Sequence, residues 1–333
     1  MKNQSLPVKP RMLLLFTLLC AAVASWQSVH ANQRWFFVTN TNDSGPGSLR
    51  SRLEAANDGD TINFTAETRG TITLTSGQLE VTKSVAINGP GANLLAVNGN
   101  ANGRVCAIGA RTTATITVTI SGLTFTNGRH LFGGAGISIF NSSVTLSNCT
   151  VSGNSANNDG GGIDINAGEL TLTNCVVSNN STTGGGGGGI SVKRGVRGLS
   201  EGTTVTVNNS TVSGNSASWG GGIANDGANG VDHSFAHLVL NNSTISGNSA
   251  TSIGGGIYST GIHSTCHGCG ATVSVSNSTI SGNSAAGDGG GGIYNGGGHN
   301  DGRGGNTIPD REKQHNQRQF GQLGRWHIQR AAR

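Results

Sequence analysis

The side chains able to do chemistry are few, and the densest group lies late in the chain. Cys266-His267-Gly268-Cys269, with His263 just before it and His233 one repeat earlier, gathers thiols and imidazoles. Thiolate and imidazole together suit Zn2+. A local Cys266–Cys269 disulfide or two idle thiols are the preferred readings, because no second Cys-x-x-Cys completes a four-ligand site. Polysaccharide hydrolysis needs two carboxylates facing each other roughly 5–10 Å apart. Lyase chemistry needs clustered acids for Ca2+ and a basic residue. The acids are scattered instead. Asp164 stands alone on its strand, with Ser191, Ala224 and Tyr258 at the matching places of later repeats, and Asp159 and Asp288 sit isolated beside Gly runs. Gly128-Arg129-His130 has no acid near it in sequence, and Lys193, Arg194 and Arg197 with Glu201 read as a solvated loop. No catalytic residue and no cofactor is assigned. Zn2+ or Ca2+ are the ions worth testing, with His233, His263, Cys266, His267 and Cys269 as the candidate ligands.

The elements that would carry these groups follow from composition. The 333 residues include 56 Gly and 5 Pro, with 34% apolar and 11% charged residues. Gly, Thr, Ser, Val and Asn are poor helix formers, so a helical bundle is excluded. Scarce Pro and aperiodic Gly exclude collagen. Two phrases recur from about residue 115. One runs Asn148-Cys-Thr-Val-Ser-Gly-Asn-Ser155 and returns through Asn277-Ser-Thr-Ile-Ser-Gly-Asn-Ser284; the other is Gly-Gly-(Gly/Ala)-Ile, ending at Ile163, Ile190, Ile223, Ile257 and Ile293. The asparagines Asn127, Asn154, Asn180, Asn215, Asn248 and Asn283 are 27, 26, 35, 33 and 35 residues apart. Such periods mark a stacked architecture. Segments such as Leu170-Thr-Leu-Thr-Asn174 and Thr204-Val-Thr-Val-Asn208 alternate one inward and one outward residue. Three strands per repeat are expected: Gly-Gly-Ile, Thr-Val and Ser-Thr-Ile. The chain is therefore all-β, a single-stranded right-handed parallel β-helix, with coils ~4.8 Å apart and a narrow core of stacked Ile, Val and Leu.

Asn154, Asn180, Asn215, Asn248 and Asn283 are expected to form a structural ladder of stacked amides, and Asn also tolerates left-handed backbone. Cys149 and Cys175 are equivalent one coil apart, where later coils carry Ser210, Ser243 and Ser278, and are expected as stacked free thiols. Repeat length varies between the Gly-Gly-Ile and Thr-Val strands. The longer stretches Lys193–Thr203, Asp226–Ala236 and Thr260–Ala271 predict a shared side wall, the surface on which solenoids often bind.

Four regions are expected: 1–31, 32–110, 111–298 and 299–333. Lys2, Lys9 and Arg11 precede the apolar run Met12–Ala24, and Val29-His30-Ala31 closes it. These are the parts of a secretory signal cleaved after Ala31. The run is too short to span a membrane, which takes ~20 residues, so no transmembrane helix is expected in the mature chain. Ser48–Asn57 reads as a short amphipathic helix with Leu49, Leu53 and Ala56 on one face, placed to cap the first coil. Val38-Thr-Asn-Thr-Asn-Asp-Ser-Gly-Pro-Gly-Ser-Leu-Arg50, with Ala55-Ala-Asn57 and Gly59-Asp-Thr-Ile-Asn-Phe64, resembles the N-terminal module named for a Cys-Ser-Leu-Arg-Glu-Ala stretch. Gly47 stands at its Cys, and Ser51 and Arg52 replace Glu-Ala. The later repeats resemble bacterial right-handed β-helix proteins and chlamydial polymorphic outer-membrane proteins. The likeness covers about residues 35–298. It implies a pectin-lyase-like fold on an exported surface protein and transfers no catalytic residue.

After Gly298 the repeat stops. Codons read one nucleotide late make residues 313–329 compatible with Asn-Ser-Thr-Ile-Ser-Gly-Asn-Ser-Ala-Ser-Ser-Gly-Gly-Gly-Ile-Tyr-Asn. A frame change near residues 297–300 is therefore expected, leaving an uncapped last coil open to edge-to-edge self-association. The signal and the tail also hold most of the basic charge. Residues 32–298 carry 11 basic and 13 acidic side chains, net −2, although the whole chain is +5. No nucleic-acid partner is expected. The expected function is an exported, non-enzymatic protein for adhesion, surface display or structure, its partner a surface glycan or a host or cell-surface ligand. The competing class is a polysaccharide-binding or -cleaving β-helix.

Overall fold

Alternation of β-branched and polar residues forces every second side chain inward, and the Gly and Asn between the runs permit sharp corners. The computed structural model describes residues 33–109, 115–193, 202–227, 235–261, 270–287 and 289–296, and the backbone of Trp326–His327. Its strands stack into three sheets of sixteen, eight and six strands, parallel except where Trp326–His327 joins the largest, a right-handed parallel β-helix. One coil shows the plan. Ile163–Thr173 runs along one side, Val176–Ser178 along the next, Ser181–Thr182 along the third, and the Gly run returns the chain to Ile190, one coil further on. Ile137, Ile163, Ile190, Ile223, Ile257 and Ile293 stand in register. Beside them, Leu172, Val207 and Leu240 form a second buried column. Each fully buried Val, Leu or Ile contributes roughly 1.5–3 kcal/mol relative to exposure, and the column adds several per coil.

Two features of the sides differ from the sequence reading. The Gly-Gly-Ile and Thr-Val segments share one sheet; in two coils they are single eleven-residue strands, Ile137–Ser147 and Ile163–Thr173. These bend at Asn141 and Ala167, whose φ angles are 44° and 65°. The third side is instead the Ser-Ala or Ser-Thr pair after each repeated Asn, such as Ser155–Ala156 and Ser181–Thr182, lengthened in two coils to Ser216–Trp219 and Ser249–Ile253. Two-residue strands carry no periodicity to read.

At the N-terminal end, helix α1 (Leu49–Ala55) is capped by Ser48, whose hydroxyl accepts from Ser51 N–H at 3.2 Å. Leu49, Leu53 and Ala56 are buried in the common core. The preceding loop is latched down through Asp43. Its carboxylate accepts from Ser76 Oγ at 2.6 Å, Ser76 N at 2.7 Å and Thr75 N at 3.0 Å, and pairs with Arg50 at 2.7 Å. Arg50 also donates to the carbonyls of Gly77 and Gln78. Burial alone would raise the Asp43 pKa, but the Ser76, Arg50 and Thr75 hydrogen bonds outweigh it and hold the carboxyl well below its usual range. The residues that carry the N-terminal resemblance thus pin the loop and helix to the first coils.

Candidate functional site

The repeated phrases meet in space. Asn154 Nδ2 donates to Asn180 Oδ1 at 2.9 Å, Asn180 to Asn215 at 3.0 Å, Asn215 to Asn248 at 2.9 Å and Asn248 to Asn283 at 2.9 Å. The backbone N–H of each residue from Asn154 to Asn248 also donates to the Oδ1 of the next. The same Nδ2 reaches back to a carbonyl of the preceding coil, Val177 O for Asn215 and Val212 O for Asn248. Against this column stands the last Gly before each Ile. A Cβ on Gly222 would lie 2.6 Å from Gly256 O and 3.0 Å from Asn248 Nδ2, and Gly162, Gly189 and Gly256 face Asn180, Asn215 and Asn283 in the same way. The last Gly of the phrase leaves room for the amide column and for the carbonyl of the next coil.

Asn127 does not join this column. Thr126 pairs with Ser152, so the place beside Asn154 belongs to Gly128, whose N–H donates to Asn154 Oδ1. Asn127 is left-handed, φ 53°, like Gly153, Asn179, Gly214, Gly247 and Gly282 one place before each column Asn. Left-handed backbone therefore belongs to the neighbour, and a second left-handed set, Asn148, Asn174, Asn209, Asn242 and Asn277, starts the phrase. Behind this second set lie Cys149 and Cys175, then Ser210, Ser243 and Ser278, all buried. Cys149 and Cys175 are free thiols that donate to carbonyls, and contact with Cys175 together with burial raises the Cys149 pKa. Cys106 is likewise free, its thiol pushed up to about 12 by burial.

Three charged residues far apart in sequence come together on the outer side of the Gly-Gly-Ile strands. Lys193 Nζ lies 3.0 Å from Asp164 and 3.3 Å from Asp159. Asp159 also accepts from Gly186 N–H at 2.7 Å. Asp159 is therefore not isolated, and Lys193 is no loop residue: it ends strand Ile190–Lys193, opposite Asn166. The stacking of two coils 27 residues apart makes the contact, which linear spacing does not show. Burial raises the Asp164 pKa, partly offset by Lys193. Burial lowers that of Lys193, but Asp164 and Asp159 more than restore it and raise it overall. Lys193 thus bridges two carboxylates of the preceding coil. The outward column continues from Asp164 through Ser191 and Ala224 to Tyr258 and Tyr294. The two tyrosine rings stack at 5.6 Å and 4°, and Trp219 lies 6.5 Å from Tyr258.

The lengthened stretches all leave the solenoid at one corner. There the continuous strands of earlier coils are split into Ile190–Lys193 and Gly202–Asn208, Ile223–Asp226 and Phe235–Asn241, Ile257–Thr260 and Gly270–Ser276. Where uninterrupted and interrupted coils meet, a groove of about 420 Å3 is lined by Thr115, Asn141, Ser142, Ser143, Glu169 and Thr204. Glu169, Thr204, His237 and Thr272 form one outward column. His237 Nδ1 lies 2.7 Å from Thr272 Oγ1, and its ring stacks on Phe235 at 5.9 Å and 12°. Beneath the same corner the inward column changes from Ile165 and Val192 to Asn225, a fully buried amide that bonds Ser259 Oγ and Thr272 O. Nothing in the local sequence marks it. His233, His263, Cys266, His267 and Cys269 lie outside the described residues, as do Ala31 and Asp288. Among the described residues no group of three or more metal-ligating side chains occurs, and no helix is long and apolar enough to cross a membrane.

The Chlamydia polymorphic membrane protein repeat matches residues 242–260. That stretch begins at left-handed Asn242, passes the column residue Asn248 and reaches strand Ile257–Thr260. No curated protein matches the chain.

Proposed function

We propose that this protein is exported and displayed at the outer cell surface, where its β-helix presents a long side wall for adhesion or a structural role without catalysis. One observation carries the reading: the polymorphic membrane protein repeat coincides with just over half of one coil of a continuous solenoid. The signal-like residues 1–31 with cleavage after Ala31, and the N-terminal module resemblance, support export. The binding side is the corner of lengthened stretches, with the groove from Asn141 to Thr204 at its base. Its partner is a surface glycan or a cell-surface ligand. Near-neutral charge over residues 32–298 argues against nucleic acid. The four proposed regions are the signal, the cap with the first coils (32–110), the repeats (111–298) and a frame-shifted tail (299–333).

Surface display is tested by labelling intact cells with an antibody to the repeats and sequencing the N-terminus of the mature protein. Labelled cells and a chain starting at Asn32 are expected. A cytoplasmic protein that retains residues 1–31 would overturn the reading. Incubation with a panel of polyuronates is expected to release no unsaturated or reducing ends, and turnover would reverse the assignment.

A further inference from the structure

The coils lose their cover at one end. Leu238, Leu240, Ile245 and Ile257 are fully buried, whereas Val273, Val275 and Ile280 in the next coil are only partly so, and Ile293 is 38% exposed. The hydrogen-bond columns stop at the same level. Asn248 N–H donates to Asn283 Oδ1, Ser243 N–H to Ser278 Oγ and Ile257 N–H to Gly292 O. The corresponding N–H groups of Asn283, Ser278 and Ile293 have no acceptor among the described residues. The contact recorded on this edge is Trp326–His327 against Ser274–Val275, which is antiparallel where every other pair is parallel.

We propose that this open end is the seat of one further coil of the same repeat, written in the neighbouring reading frame of codons 306–329. The proposal rests on the frame-change reading above and adds its register. Read one nucleotide late, codons 308–312 are compatible with Ser-Leu-Thr-Val-Lys, which sets Leu over Val273 and Val over Val275. The following Asn-Ser-Thr-Ile falls 36 residues after Asn277–Ile280, giving Ser over Ser278 and Ile over Ile280. The next Asn stands over Asn283, where its side-chain oxygen would accept from Asn283 N–H as Asn283 accepts from Asn248. The Gly-Gly-Gly-Ile-Tyr that follows places Ile over Ile293, 34 residues on, and Tyr over Tyr294, extending the Tyr258–Tyr294 stack. Each of these donors and each incompletely covered apolar side chain thus meets the residue type that covers its equivalent in the coils below. A tail merely rich in Lys, Arg and Gln would not reproduce that match at every column.

The test compares the full chain as written with a full-length version carrying one nucleotide change that moves codons after residue 300 into the other frame. Amide hydrogen exchange at Ile280, Asn283 and Ile293 is the readout. The reframed chain is expected to slow exchange at these sites at least about tenfold, the response of amides that acquire buried partners. Ile293→Lys should cancel the gain in the reframed chain and leave the as-written chain nearly unchanged, which separates loss of the seat from global misfolding. Equal exchange in the two full chains would overturn the proposal. So would a closed dimer of the as-written chain with these amides already protected, since the occupant would then be a second copy. The readout is independent of surface labelling, so failure here and failure of the display reading remain distinguishable.

Discussion

Each middle coil turns through two buried polar corners. At one of them the residue never changes: Asn154, Asn180, Asn215, Asn248 and Asn283. At the other, Cys149 and Cys175 give way to Ser210, Ser243 and Ser278 in the same place. The difference lies in what each side chain must reach. A column Asn serves four groups: it accepts from the backbone and side chain of the Asn before it, and donates to the Asn after it and to a carbonyl of the preceding coil. Only an amide has an acceptor and two donors at the ends of a plane that spans the gap between coils. Ser243 has a smaller task, donating to Val207 O and Asn241 O while accepting from Ser210 N–H. A thiol makes the same donation at longer range, Cys175 Sγ lying 3.3 Å from Leu146 O, and more weakly. Identity is therefore enforced at one corner and only size and polarity at the other.

The largest break in this comparison is Asn215→Ala. It leaves the Asn180 N–H and Nδ2 without their acceptor and Val177 O without its donor, all buried. At about 1–3 kcal/mol for each unsatisfied group, chemical denaturation should show a loss of about 4 kcal/mol. Gly222→Ala attacks the same corner from the facing side, where its Cβ meets Gly256 O at 2.6 Å. Overpacking of this kind costs about 1–3 kcal/mol, and a midpoint shift of that size is expected. Ser243→Ala, at the permissive corner, should cost about 1 kcal/mol, and Cys175→Ser less than that because later coils already carry Ser there. If Asn180→Ser proves as mild as Cys175→Ser, the distinction between the corners is wrong.

The smallest expected effect sharpens the comparison through pH. Neither corner holds a group that titrates in mild acid, so acid sensitivity enters elsewhere, and Asp43 is placed to supply it. Its folded pKa is depressed, so its stabilisation is complete above the ordinary carboxylate value of about 3.9 and is lost as pH falls toward the folded value. The stability difference between the native chain and Asp43→Asn should be constant above about pH 5 and shrink below about pH 4. A difference that grows on acidification would contradict the hydrogen-bonded carboxylate.

Much of this was legible before any coordinates. Strand alternation and the 26- to 35-residue period named the solenoid, because each coil repeats the same local problem. The roles within the turn were less legible. Asn127 has the right spacing for the column yet is left-handed and outside it, because a one-residue offset exchanges the two places. Asp159, Asp164 and Lys193 look unrelated in sequence, since nothing linear shows which residues 29 or 34 apart stack on one another. Asn225 is hidden for the opposite reason: a polar residue where Ile165 and Val192 stand breaks the apolar pattern and reads as surface.

By itself, then, the sequence determined the strand type, the coil period, the glycine and asparagine corners and the place of the lengthened stretches, because each depends on nearest neighbours along the chain. Only the tertiary structure decided the vertical partners: which amide bonds which, that the last Gly of one phrase makes room for the Asn of the other, and that Lys193 clamps two aspartates. Those contacts depend on the register between coils, which is set jointly by all three sides of the solenoid and written in no single segment.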